Sequence, residues 1–384
     1  MDLMIIGKYP PIEGGESGKL YWLCKGLSSR GNRIHVVSNG QEVKPDYRCV
    51  ISEREADELQ PKNVALHQTD VGAPYFIPQY TPHSEKLTAL ALDVIKDNNV
   101  ELILGWYLLP YGVSARNVSS ISRKNYLIQH AGSDINRLLK NRMFHSFLKQ
   151  VILDARGIMS YPSFVELFRE LGCQRINVHR PAIPPEFNPY QDKVNFKTKY
   201  GLELNPDKTV LYLGKLGKGK ALTQLIDAFK ELDHDCSLVI IGGGKEKAAL
   251  KQIAKGLENI FFLDPIPIWR VPETIRGVRC VVVPEHNFGV SMHRSRIPIE
   301  SLMCGVTPVV SSEISRNYGQ FSDYFITFNP LNVRDLKESL ESTLNNDEPN
   351  AKARENYPIM RAKVGRFDEY IEEMEKLFLN SIAT

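Results

Sequence analysis

The stretch Val281-Val282-Val283-Pro284-Glu285-His286-Asn287-Phe288-Gly289, followed by Pro298-Ile299-Glu300-Ser301-Leu302-Met303-Cys304-Gly305-Val306-Thr307-Pro308-Val309-Val310, decides the fold. Three β-branched residues ended by a proline read as a buried parallel strand. Pro298 in the first turn and Gly305 at the stop bound a short helix, with Glu300 close to its N-terminus. A second strand, 308–310, follows at once. This spacing puts Glu300 at a loop-to-helix junction on the carboxyl edge of a sheet, where open α/β folds bind ligands. A carboxylate there can accept two hydrogen bonds from a ribose diol.

The same rhythm runs outward in both directions. Apolar β runs at 3–6, 34–38, 102–104, 126–128 and 157–159 alternate with helical stretches such as 18–29 and 85–97. Residues 178–190, with Pro181, Pro184, Pro185 and Pro189, break the pattern and read as an extended linker. The rhythm restarts with strands at 210–213, 238–241, 260–263, 280–283 and 307–310 and helices at 223–231 and 245–255. Repeated βα units predict an α/β protein of two doubly wound, Rossmann-like domains facing across a cleft. The boundaries fall at 1–185 and 190–361.

The segment around Glu300 resembles a known family, the retaining glycosyltransferases of GT-B fold, family 4 type (glycosyl transferases group 1). Their second domain carries Pro-x-x-Glu-x-Phe-Gly and then Glu-Ala-Met-x-x-Gly-x-Pro-Val-Val. Glu285, Phe288, Gly289, Glu300, Gly305, Pro308, Val309 and Val310 fit. The family spaces its two glutamates eight positions apart, whereas here they stand fifteen apart. The intervening residues include the cationic run His293-Arg294-Ser295-Arg296, which could bind a pyrophosphate or an anionic substrate as readily as form a solvated loop. The resemblance implies that the last helix, 362–384, packs back on the first domain. It also implies a nucleoside-diphosphate sugar (UDP or GDP) as donor and an acceptor hydroxyl.

Three further segments carry candidate chemistry. Gly7-Lys8-Tyr9-Pro10-Pro11-Ile12-Glu13-Gly14-Gly15 follows the first strand and opens a helix, so backbone amides at Gly14 and Gly15 can approach an anion closely. The alternative is a surface turn; the family's Pro-x-x-Gly-Gly favours a place at the donor phosphate. Gln129-His130-Ala131-Gly132-Ser133-Asp134 follows a strand, and a histidine there can donate to a sugar hydroxyl. Asp134 can equally cap the helix that begins at Ile135. After the strand at 210–213 comes Gly214-Lys215-Leu216-Gly217-Lys218-Gly219-Lys220, where the family has Gly-Arg-Leu, three residues, and Lys-Gly. Lys215 and Lys220 can neutralise a diphosphate leaving group. The glycine turn Gly242-Gly243-Gly244 lies where the family places base and ribose. The resemblance thus assigns catalysis to His130, Lys215, Lys220 and Glu300. Donor binding is expected of Gly14, Gly15, Gly214, Gly243, Glu285, Phe288, Gly289 and Ser301, and, from the cationic run the family lacks, of Arg294 and Arg296. No metal or other cofactor is expected, because no Asp-x-Asp motif follows a suitable strand and the lysines can take its place.

Composition narrows the class. A chain of 384 residues with 42% hydrophobic and 24% charged residues reads as an ordinary globular protein of two-domain size. Net charge +3 is too small to imply a nucleic-acid partner. Six scattered cysteines without a Cys-x-x-Cys pair suggest reduced thiols. With no export-signal pattern ahead of the first strand, the expected location is the cytoplasm. Residues 136–149 alternate cationic and apolar side chains at helical spacing. That face either packs on its own sheet or rests on the inner face of a membrane, presenting a lipid-linked acceptor in place of a soluble glycan or small molecule. Two competing functions share the architecture: a nucleotide-sugar epimerase and a non-catalytic sugar-nucleotide-binding protein.

Overall fold

The computed structural model describes residues 1–72, 81–233, 235–286 and 295–383. Two parallel sheets organise them. The first has seven strands: β1 Asp2–Ile6, β2 Arg33–Ser38, β3 Val64–Gln68, β4 Leu102–Trp106, β5 Tyr126–Gln129, β6 Gly157–Ser160 and β7 Ile176–Val178, in the order β3-β2-β1-β4-β5-β6-β7. The second has six: β8 Thr209–Leu213, β9 Ser237–Ile241, β10 Ile260–Leu263, β11 Cys280–Val283, β12 Pro308–Ser311 and β13 Ile326–Phe328, in the order β10-β9-β8-β11-β12-β13. This is the GT-B architecture of two Rossmann-like domains.

Both central strands are buried on both faces, as near-continuous apolar runs require. Along β1, Leu3 and Ile5 face one core while Met4 and Ile6 face another. The core that holds Leu3 and Ile5 continues into the second domain through Leu211, Val239 and Val281. The remaining face of each sheet has its own apolar layer.

Three strands escape the sequence pattern: β3, β7 and β13. All three lie at sheet edges, and all have partly exposed residues, so their side chains need not be uniformly apolar. The stretch 136–149 is a second difference. It is interrupted rather than continuous: the helix Arg142–Leu153 starts afresh, with the Asn141 side chain accepting from the Met143 amide at 2.9 Å. An asparagine there offers the backbone a capping bond that competes with continued helix. Residues 179–195 run between the domains, and the helix Phe367–Ile382 returns to the first domain. There Ile371 packs against Gly26, and Glu375 accepts from Arg30 and Asn32. All six cysteines are free thiols, five of them buried.

Candidate active site

Strand order reverses between β1 and β4 in one sheet and between β8 and β11 in the other. The loops leaving these strands diverge and open a crevice at each carboxyl edge. The lysine loop leaves β8 and is laced to its neighbours by backbone bonds. Gly214 donates to Ile241, Leu216 to Gly243, and His286 to Gly219, at 3.1, 2.8 and 3.1 Å. The glycine turn after β9 lies flat against this loop. A Cβ on Gly242 would come within 1.9 Å of the Gly214 carbonyl, and φ at Gly242 is +156°.

Lys220 and Glu285 form an ion pair at 2.5 Å, the lysine side chain 15% and the glutamate side chain 6% exposed. Burial lowers the Lys220 pKa, and Glu285 opposes that shift. Glu285 is tied down through its carbonyl, which accepts from the Ser311 hydroxyl. Lys215 points toward the first domain, its ammonium 5.6 Å from the centre of the Tyr47 ring. A Cβ on Gly14 would sit 3.9 Å from Lys215 Cε, so this side chain lies over the first glycine of the pair. Gly14 takes φ +110° immediately ahead of the helix Gly15–Ser29, and its carbonyl accepts from Gly18. The Gly14–Gly15 helix start and the lysine loop are therefore brought together across the cleft.

Two residues outside the sequence-derived set join them. Lys8 lies over the Tyr107 ring at 4.9 Å. Burial lowers its pKa, and Lys215 lowers it further. Tyr107 leaves β4 with φ +92°, a strained backbone for a bulky side chain, and its hydroxyl meets Ser133 Oγ at 3.0 Å. The only signal in the sequence is that each follows a strand at its carboxyl edge.

His130 is wholly buried among Tyr161, Phe164 and Phe168. The Gly132 amide donates to its Nδ1 at 3.0 Å, which leaves the proton on Nε2, 3.1 Å from Ser160 Oγ. Burial, with smaller contributions from His179 and Lys19, lowers its pKa to about 3. Both ring nitrogens are thus engaged inside the domain, and the ring braces the loop after β5. Asp134 does similar work. Its carboxylate accepts from the amides of Leu108, Ala131 and Ile135, joining the loops after β4 and β5. Burial raises it to about 6 against the pull of those amides.

Glu300 lies in the first turn of the helix Ile297–Met303, paired with Arg296 at 3.0 Å. Burial raises its pKa, with Arg296 opposing. Arg296 also donates to the Ala182 carbonyl. From the first domain, Lys19 acts on this carboxylate electrostatically. Lys19 is itself paired with Glu16 at 2.6 Å, and Glu16 accepts from Trp106 Nε1. Ser301 is buried with its hydroxyl donating to the Val306 carbonyl at 2.7 Å, which ties the helix to the turn ahead of β12. Phe288, Gly289 and Arg294 lie outside the described residues.

Residues 196–359 match the family model described as Glycosyl transferases group 1. No curated protein matches by sequence. Among solved structures, sucrose-phosphate synthase from Thermosynechococcus elongatus superposes with a TM-score of 0.69 at 14% identity, covering 100% of this chain and 99% of that one. WaaG, a glycosyltransferase involved in lipopolysaccharide biosynthesis, gives 0.66 at 14% identity over 98% and 99% of the two chains. Anabaena HepE, in complex with UDP and glucose, gives 0.66 at 13% identity over 98% of each. The fold is shared across both domains, while the sequences have diverged widely.

Proposed function

We infer, from a second domain whose residues 196–359 match the model described as Glycosyl transferases group 1, that the protein moves a sugar from a nucleoside diphosphate onto an acceptor hydroxyl with retention of configuration. One observation carries the reading. The Gly14–Gly15 helix start of one domain and the Lys215–Lys220 loop of the other converge where both sheets reverse their strand order. A diphosphate is the ligand chemistry that such a pairing of amides and ammonium groups fits.

When the bond from the sugar to the diphosphate breaks, the leaving oxygen gains negative charge. Lys220, largely buried, and Lys215, on the exposed side of the same loop, favour that charge more than they favour the intact donor, and this lowers the barrier. Lysines thereby take the part a metal ion plays elsewhere. Glu300 accepts from the ribose diol, with Arg296 orienting it. Retention follows if the acceptor attacks on the face the leaving group vacates; Lys8 and Tyr107 line the first-domain side of that approach. HepE has been solved in complex with UDP-glucose, which makes a UDP-sugar the first donor to test.

No helix among the described residues is long and apolar enough to cross a membrane. The broken segment 136–149 nevertheless exposes Met143 and Phe147 beside Lys140 and Arg142, which supports a cytoplasmic enzyme resting on an anionic surface. The deciding experiment is a thermal-shift screen of UDP- and GDP-sugars, followed by transfer assays with those that stabilise the native state. Donor turnover without any acceptor would indicate an epimerase, and binding without turnover a regulator. If no nucleotide sugar stabilises the protein, the reading fails.

A further inference from the structure

Residues 179–195 leave the first domain beside β7, an edge strand of its sheet. A second set of contacts joins the domains at the other flank, beside the edge strands β3 and β10. Between β2 and β3 the chain runs through residues 45–50 into the helix Glu53–Leu59, and after β10 it runs from Pro265 to Arg270. Ser52-Glu53-Arg54-Glu55 has the form of a capping box, whose last glutamate would return to the cap amide. Ser52 Oγ does accept from the Glu55 amide, at 3.2 Å, but the Glu55 carboxylate crosses to the second domain. There it accepts from Trp269 Nε1 at 2.8 Å, from Arg270 Nε at 2.6 Å and from Arg270 Nη2. The pair is largely withdrawn from water, the Glu55 side chain 12% and that of Arg270 17% exposed.

Shape matches at this flank as closely as charge. The Trp269 ring lies 4.9 Å from that of Tyr21. A Cβ on Gly18 would come within 2.7 Å of Ile268 Cγ1, and one on Gly243 within 1.4 Å of the Asp46 carbonyl oxygen. Both glycines thus admit the other domain where a side chain would hold it off. Cys49 Sγ donates to the Ile266 carbonyl at 3.2 Å, and the Val50 amide to that of Pro265 at 3.4 Å. Tyr47, in the same stretch, has its ring beside the Lys215 ammonium, so the contact extends to the lysine loop itself.

We propose that Glu55, with Trp269 and Arg270, is a clamp that holds the cleft shut at its mouth, and that donor and product exchange only when it lets go. The gating half rests on the nucleotide-sugar reading above. Turning about the chain passage beside β7 swings the flanks of β3 and β10 farthest, so contacts there oppose opening with the longest lever. A bidentate carboxylate–guanidinium pair is both strong and directional. Because the protein alone makes the clamp, it favours the closed form equally with and without donor. It therefore sets the rates of entry and exit and leaves affinity nearly unchanged. Association proceeds at the intrinsic rate multiplied by the fraction of open molecules. A hydrogen bond to a charged group is worth a factor of at least about ten, so weakening the clamp by one such bond should raise that fraction about tenfold.

The test uses the full chain and its Glu55→Gln, Arg270→Met and Gly18→Val variants, with circular dichroism to confirm folding. Breaking a buried pair from one side strands the other group, so Gly18→Val, a wedge against Ile268, opens the cleft by a second route. Small-angle X-ray scattering without nucleotide should give each variant a larger radius of gyration than the wild type. Glu55→Gln combined with Arg270→Met should expand by less than the sum of the two, because both remove one contact. In stopped-flow mixing with UDP-glucose, Glu55→Gln should associate and dissociate about tenfold faster, with Kd within about threefold of wild type. A residue that merely shaped the site would raise Kd and speed dissociation alone. Folded variants that all scatter as the wild type does overturn the proposal. If they expand but neither UDP-glucose nor any other nucleotide sugar binds, the glycosyltransferase reading fails and the clamp stands as a closure device. If they expand and UDP-glucose exchanges at wild-type rates, the glycosyltransferase reading stands and the clamp fails as a gate.

Discussion

Replacing Lys220 by methionine should slow the chemical step far more than it weakens donor binding. Lys220 and its partner Glu285 are both largely withdrawn from water, so an effective dielectric of about 20 suits the site. A unit charge about 4 Å away is then worth about 4 kcal/mol. Glu285 shares the lysine and takes part of that, leaving about 3 kcal/mol directed at the charge that appears on the leaving oxygen. At a factor of ten for each ~1.4 kcal/mol, kcat should fall by roughly two orders of magnitude. The intact donor already carries its diphosphate charge, so KM should rise by no more than about tenfold. Lys220→Arg keeps the charge but exchanges a compact ammonium for a planar fork, and should retain intermediate activity. Steady-state kinetics with purified donor, alongside circular dichroism to confirm that Glu285 has not unfolded the domain, would decide. A folded Lys220→Met variant with kcat within threefold of wild type would remove this lysine from the mechanism.

Glu300→Gln should raise donor KM by roughly 10- to 150-fold, because hydrogen bonds to a charged acceptor contribute about 1.5–3 kcal/mol; an unchanged KM for the nucleotide sugar would exclude ribose contact. His130, depressed to about 3 by burial, favours the native state most above the unfolded-state pKa of about 6.5. That contribution is lost as pH falls toward the folded value. Chemical denaturation should show the stability gap between wild type and His130→Asn narrowing by about 1.4 kcal/mol per pH unit from 6.5 to 4.5, and a constant gap would refute it. On anionic vesicles the wild type should co-sediment at low salt and less so as salt is raised, with Met143→Ser/Phe147→Ser binding weakly at both. A wild type that stays in the supernatant at low salt would point to a soluble acceptor.

What the sequence revealed depended on whether a residue's role is local. Val281–Val283 and Leu3–Ile6 are buried on both sides and declare themselves as strands. Val64–Gln68 does not, because an edge strand with its end half exposed carries His67 and Gln68. The same holds for the active site. Lys215 and Lys220 stand out because their shared glycine-rich loop directly follows a buried strand. Glu13 carries no such mark, since what buries it is brought by Tyr47 and the Gly243 turn from elsewhere in the chain. His130 was visible as a residue after a strand, but its neighbours Ser160 and Phe168 come from later segments. Only the packed structure shows that its ring is enclosed.

The chain passes between the domains twice, once along residues 179–195 and once near Gly365 before the helix Phe367–Ile382. Arg361 fastens the two passages together, donating to the carbonyls of Ile183, Pro184 and Phe187 at 2.6, 3.1 and 3.0 Å. A body held by one tether can swing in any direction, whereas one held by two joined tethers turns mainly about the line through them. Any relative motion of the domains is thus steered toward rotation about that line. The axis is made of backbone that either domain would lack if it were cut out alone. The last sixteen-residue helix therefore belongs mechanically to the hinge as much as to the domain it covers.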